Sequence, residues 1–117
     1  MFGLSRALLM LVAALVVVTP DDTVAQSPRA VEVGTARGVA GAKVRGALNP
    51  IEEADGTPLS LPVVVVTGTR PGPLVWVQAL THGDEFGGAR ALQQVLAALD
   101  PNEMSGTVVA AMVANTA

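Results

Sequence analysis

The sequence predicts an α/β fold in which a partial mixed sheet contains a β-α-β unit, and three observations lead there. Four consecutive valines, Val63 to Val66, lie inside a β-branched run from Leu61 to Thr67, the pattern of a strand buried on both faces. Leu74 to Leu80 is a second β-type run. Ala89, Leu92, Val95, Leu96 and Leu99 then recur at helical spacing before Thr107 to Ala114 returns to β character.

The amino-terminal end stands apart from this pattern. Arg6 precedes an unbroken apolar run of twelve residues from Ala7 to Val18, shorter than the roughly 20 residues a membrane-spanning helix needs. Thr23-Val24-Ala25 supplies the small residues of a signal-peptidase site. Residues 1–25 are therefore expected to be a secretory signal, the mature protein to begin at Gln26, and the destination to be the periplasm or the exterior. An uncleaved anchor and a core helix are the alternatives, the second opposed by Pro20-Asp21-Asp22. After cleavage no stable membrane association is expected.

Composition excludes several classes. With no cysteine there is no disulfide framework, thiolate metal site or catalytic thiol. A net charge of −3 with scattered basic residues gives no footprint for nucleic acid, and the three aromatic residues weigh against a base-stacking platform.

Residues 26–60 read as N-terminal strands and loops. Val31 and Val33 alternate with polar neighbours, as in one exposed strand, and Val39 to Leu48, broken by glycines, suits a short strand or loop. Asn49-Pro50 and Asp55-Gly56 are turn signals, so Ile51 to Pro58 is expected to be a connection. Gly68 to Pro73 should reverse the chain and set the Leu74 strand antiparallel beside the valine strand. The helix from Gly87 to Leu99 should stop at Asp100-Pro101, because proline disfavours helical geometry in the residue before it. The crossover that follows makes the Leu74 and Thr107 strands parallel, bringing Thr81 and Asn115 to one edge of the sheet.

That edge holds the chemistry. His82-Gly83-Asp84-Glu85 contains the chain's one histidine with a carboxylate three residues on, and a tight turn at Gly83 would let both converge on one cation. Imidazole and carboxylate are ordinary zinc ligands, and zinc polarises a carbonyl and activates water, so hydrolysis of an amide or ester is the implied reaction. The same residues also fit other roles. Asp84 and Glu85 suit a helix start, where capping and the helix dipole favour negative charge. Gly83, Gly87 and Gly88 suit a phosphate cradle, which the two carboxylates oppose.

Taken together, Asp55 to Gly88, Ala91 to Pro101 and Ser105 to Asn115 resemble in order and spacing the opening of the succinylglutamate desuccinylase and aspartoacylase family. The resemblance covers residues 55–117 and implies that residues 61–117 are the N-terminal portion of a zinc carboxypeptidase-like α/β/α domain. It implies Zn2+ as cofactor, His82 and Glu85 as its first two ligands, and a small N-acyl amino acid or peptide end as substrate. Asp84 matches the variable position between the ligands and Asn115 the asparagine ending the next strand, each a candidate for a supporting or pocket role. Gly83 and Gly88 match small positions near the metal. Arg70 and Arg90 read as solvated. Leu80 departs from the family's small residue two places before the histidine, and Thr116 from its common proline. The third ligand, the general-base glutamate and the substrate-gripping arginines are implied to lie beyond Ala117, so the catalytic base has no candidate here and the chain reads as a fragment inactive alone. A different class of function is an exported, non-catalytic binding module with a structural His82–Glu85 loop. Oligomeric state is not legible.

Overall fold

A computed structural model describes Pro28 and residues 30–115; the expected signal lies outside the described residues. The elements are β1 (Glu32–Val33), β2 (Ala36–Arg37), β3 (Ala42–Glu52), β4 (Pro58–Thr67), β5 (Arg70–Gln78), α1 (Phe86–Ala98) and β6 (Ser105–Ala111). β3 to β6 form one mixed sheet in the order β3-β4-β6-β5, and β1 and β2 pair as a separate antiparallel ribbon.

The valine run explains the position of β4. Val64 and Val66 face α1, packing with Ala110, Leu92 and Leu96, while Val63 and Val65 face the ribbon, packing with Ala36 and Val109. A strand apolar on both faces needs cover above and below, and here helix and ribbon supply it. Val63, Val65, Val66 and Val109 are fully buried, each worth about 1.5–3 kcal/mol. The ribbon sits close because Gly46 on β3 has no side chain: a Cβ there would lie 2.4 Å from Ala36 N.

β5 and β6 are parallel, as the β-α-β reading requires, in register Trp76↔Val109 and Val77↔Ala110. Other expectations are corrected. β4 and β5 are antiparallel in direction but do not pair, because β6 lies between them, antiparallel to β4 through Val63↔Ala111 to Thr67↔Thr107. The valine strand has two edges of backbone to satisfy, and the Val108 to Ala111 run fills the second. Gly68-Thr69 instead crosses the start of β6, with Gly68 N–H donating to Gly106 O at 2.8 Å. The amino-terminal region also holds more strand than its glycines suggested. Val33 opens onto a two-strand ribbon, and β3 runs eleven residues, through Asn49-Pro50 to Glu52. Proline is tolerated because β3 is an edge strand and its register with β4 shifts between Leu48 and Ile51. The connection shrinks to the turn Glu53–Thr57, where Thr57 N–H donates to Asp55 Oδ1 at 2.9 Å and holds that carboxyl below its ordinary pKa.

α1 buries Ala89, Leu92 and Leu96, but Val95, expected in the packed stripe, is 51% exposed. The helix ends where Leu99 turns extended (ψ 127°) before Asp100-Pro101. Lys43 reaches across from β3, its Nζ donating to Leu96 O at 2.6 Å. A cation at the carbonyl end of a helix is favourable both as a hydrogen-bond donor and against the dipole.

Candidate metal centre and adjoining cleft

The site begins where β5 and β6 run out together. Ala79 N–H donates to Ala111 O (3.0 Å), Ala114 N–H to Ala79 O (2.9 Å) and Asn115 N–H to Leu80 O (2.9 Å). Thr81 and Asn115 therefore share one sheet edge, as the parallel crossover dictates, and Asn115 clamps the root of the histidine loop through its backbone.

Leu80 then takes a left-handed conformation, φ 51°, while remaining buried. For a residue with a side chain this costs about 1–2 kcal/mol, and such strain persists only where surrounding packing imposes it. Leu80 leaves the sheet with its side chain still in the core beneath α1, and the tight turn expected at Gly83 comes after it.

A reverse turn follows, Glu85 N–H donating to His82 O at 3.1 Å. It brings the two candidate ligands together: His82 Nδ1 lies 3.1 Å from Glu85 Oε1. Their side chains are 74% and 62% exposed, so the pair faces solvent at the open edge. Asp84 lies between them, exposed, its carbonyl accepting from Phe86 N–H at 3.2 Å. The helix-start reading of the two carboxylates is not realised as capping, for Glu85 occupies the N-cap position without a side-chain cap hydrogen bond and its carboxylate turns to His82 instead. Gly88 opens α1 beside Ala79, where a Cβ would meet Ala79 Cβ at 3.6 Å, an ordinary contact, so the approach does not require glycine.

Imidazole nitrogen and carboxylate oxygen, adjacent and accessible, are chemically suited to zinc. Among the described residues no group of three His, Cys, Asp or Glu side chains could hold a metal ion. His82 and Glu85 thus fit part of a catalytic zinc shell, which ordinarily has three protein ligands. Arg70, read as solvated, ties the start of β6 instead, donating from Nε to Ser105 Oγ at 3.0 Å and from Nη2 to Glu103 O. Arg90 is exposed on α1.

Beside the pair opens a feature the sequence did not disclose. A cleft of about 690 Å³ runs between α1 and the free side of β5, with Glu85, Thr81 and Gln78 among its lining at the loop end and Val77, Val95 and Leu99 among its apolar walls. The signal was hidden in Val95, whose helical spacing matched the packed stripe but whose neighbour across the gap is this opening.

Sheet order, crossover and edge loop define the class as a partial α/β fold with a mixed sheet. Neither a family model nor a curated protein matches the chain. Among solved structures, it is similar to the ectoine utilization protein EutE (DoeB) from Ruegeria pomeroyi, solved with product bound, at 23% identity and a TM-score of 0.50 over 64% of this chain and 23% of that one. It is also similar to succinylglutamate desuccinylase/aspartoacylase from Rhodobacter sphaeroides, at 28% identity and a TM-score of 0.48 over 62% of this chain and 23% of that one. The chain spans about a quarter of the length of these structures, 23% in each case.

Proposed function

We propose that this chain carries part of the zinc site of an exported hydrolase that cleaves amide or ester bonds, a deacylase of small N-acyl amino acids or a carboxypeptidase-like enzyme. The observation that supports it is the 3.1 Å approach of His82 Nδ1 and Glu85 Oε1 at the edge where the parallel strands end. The resemblance of residues 55–117 to the desuccinylase and aspartoacylase family and the export-like residues 1–25 support the same reading.

Zinc, when bound, supplies Lewis acidity toward a carbonyl oxygen and lowers the pKa of water. The chain's own part is to hold and orient. His82 and Glu85 would be the ligands, and the turn between them fixes their separation. The backbone bonds of Ala79, Leu80, Ala114 and Asn115 anchor that turn to the sheet, so the ligands are referenced to rigid strands, as a catalytic constellation needs. Under this reading the third ligand and the general base are supplied from outside the described residues, as the resemblance implies, and this chain alone binds zinc weakly and turns over nothing.

The alternative, a non-catalytic exported module, draws on a separate observation: every residue of β5 is exposed, Leu74 and Trp76 included, as an edge strand awaiting a partner would be. Zinc titration followed by NMR decides between them. The metal reading expects the His82 ring signals to shift on weak zinc binding, since two ligands leave the ion underdetermined, and His82→Ala to abolish the effect. Binding that survives His82→Ala, or an undisturbed His82 ring at saturating zinc, refutes it.

A further inference from the structure

The chain's one aspartate followed by glycine, Asp55-Gly56, lies in the turn between β3 and β4, and such a pair carries a chemical liability. The Gly56 amide nitrogen can attack Asp55 Cγ, forming an N–Cγ bond and expelling water made from the carboxyl hydroxyl and the amide proton. Water then opens the resulting cyclic imide at either carbonyl. Attack at Cγ restores aspartate, whereas attack at the α-carbonyl carbon leaves the main chain running through Cβ, as isoaspartate. The net change is an isomerisation that consumes no oxidant or cofactor. A side chain on the second residue would hinder ring closure, but this turn calls for glycine: Gly56 has a left-handed φ of 84°. Packing gives no protection either, for nothing lies within 4 Å of where a Gly56 Cβ would stand, and both residues are exposed.

What opposes the reaction is hydrogen bonding to both reacting groups. Gly56 N–H donates to Glu53 O at 2.9 Å, a bond that must break before the nitrogen can lose its proton to form the ring. Thr57 N–H donates to Asp55 Oδ1 at 2.9 Å, which anchors the carboxyl and favours its ionised form. A carboxylate has no hydroxyl to expel. Glu53 N–H, donating to Thr57 O at 2.8 Å, closes the turn around both groups. We propose that Asp55-Gly56 is a latent isomerisation site, held in the aspartyl form by the hydrogen bonds of Gly56 and Thr57 and released to isoaspartate when the turn opens. Conversion adds a carbon to the main chain and takes the Oδ1 acceptor from Thr57, so the adjoining pairs Glu52↔Pro58 and Ile51↔Leu59 lose the turn that sets their register. The proposal is independent of the metal site.

The test incubates the whole chain at neutral pH in buffer, where Trp76 fluorescence reports the folded state, and in urea beyond its unfolding transition. Isoaspartate at position 55 is then measured by peptide mapping with an endopeptidase that cuts before aspartate but not before isoaspartate. Isomerisation should run about tenfold or more slower in the folded chain, the factor expected when two hydrogen bonds must open first. Asp55→Asn closes the same ring by losing ammonia instead of water, so it does not depend on protonation of a carboxyl. Its deamidation, read as a mass gain, should be slowed by folding as well, because the Gly56 N–H is still held by Glu53 O. After conversion of Asp55, hydrogen exchange should rise at Glu53 and Thr57 while the amides of Val63 to Val66 stay protected. Equal isomerisation rates in the folded and unfolded chain would overturn the proposal. So would a folded Asp55→Asn variant that deamidates as fast as the unfolded one.

Discussion

Leu80 offers a sharp test of how the histidine loop is held, because its backbone and its side chain pull in opposite directions. The side chain is 8% exposed and packs in the core beneath α1, so Leu80→Ala should cost about 2–5 kcal/mol in lost contacts and residual cavity. The backbone is left-handed at φ 51°, a conformation that costs an alanine about as much as a leucine, roughly 1–2 kcal/mol, and glycine almost nothing. Leu80→Gly loses the same packing and the buried Cβ methyl as well, about 0.8 kcal/mol, but recovers the strain. Glycine's greater freedom in the unfolded chain offsets a further share, about 0.5–1 kcal/mol. The net expectation is that the two variants lie within about 1 kcal/mol of each other, whereas at an ordinary buried strand or helix position glycine would fall about 1.5 kcal/mol below alanine. Urea unfolding followed by the fluorescence of Trp76, the sole tryptophan, reads the difference. With a slope of about 1 kcal/mol per molar urea, the two midpoints should lie within about 1 M. A glycine variant about 1.5 M or more below alanine would refute the left-handed assignment, and with it the view that the loop leaves the sheet under strain.

Two further outcomes are expected. Lys43→Met keeps the aliphatic stem but removes the donor to Leu96 O, so stability should fall by about 1 kcal/mol, with hydrogen exchange rising first in the last turn of α1; a uniform rise along the helix would show that Lys43 does not act at its end. Mass spectrometry of protein recovered from the exported fraction should give an amino terminus at Gln26, whereas an intact Met1 confined to the cytosol would remove the export reading.

The features most legible in the sequence were those set by local chemistry. Val63 to Val66 announced a strand covered on both faces because no solvent-facing alternation interrupts them, and Asp100-Pro101 marked the end of α1 because proline forbids continuation. The parallel crossover followed from chain connectivity, and it correctly placed Thr81 and Asn115 at one edge. Less legible was β3, where turn-forming residues sit within a strand. Asn49-Pro50 does terminate strands whose two edges are both paired, but an edge strand with a register shift can carry it.

The approach of His82 to Glu85 was legible from their spacing, since a three-residue interval across a turn is enough to bring imidazole and carboxylate within contact. What only the tertiary structure decided is non-local. The insertion of β6 between β4 and β5 depends on which pairing satisfies the most backbone, a comparison between segments far apart in the chain. The left-handed turn at Leu80 rather than at a glycine is imposed by the core beneath it, overriding intrinsic preference. Val95 obeys the helical period and still faces an opening, because periodicity says which residues share a face and only packing says what, if anything, that face meets.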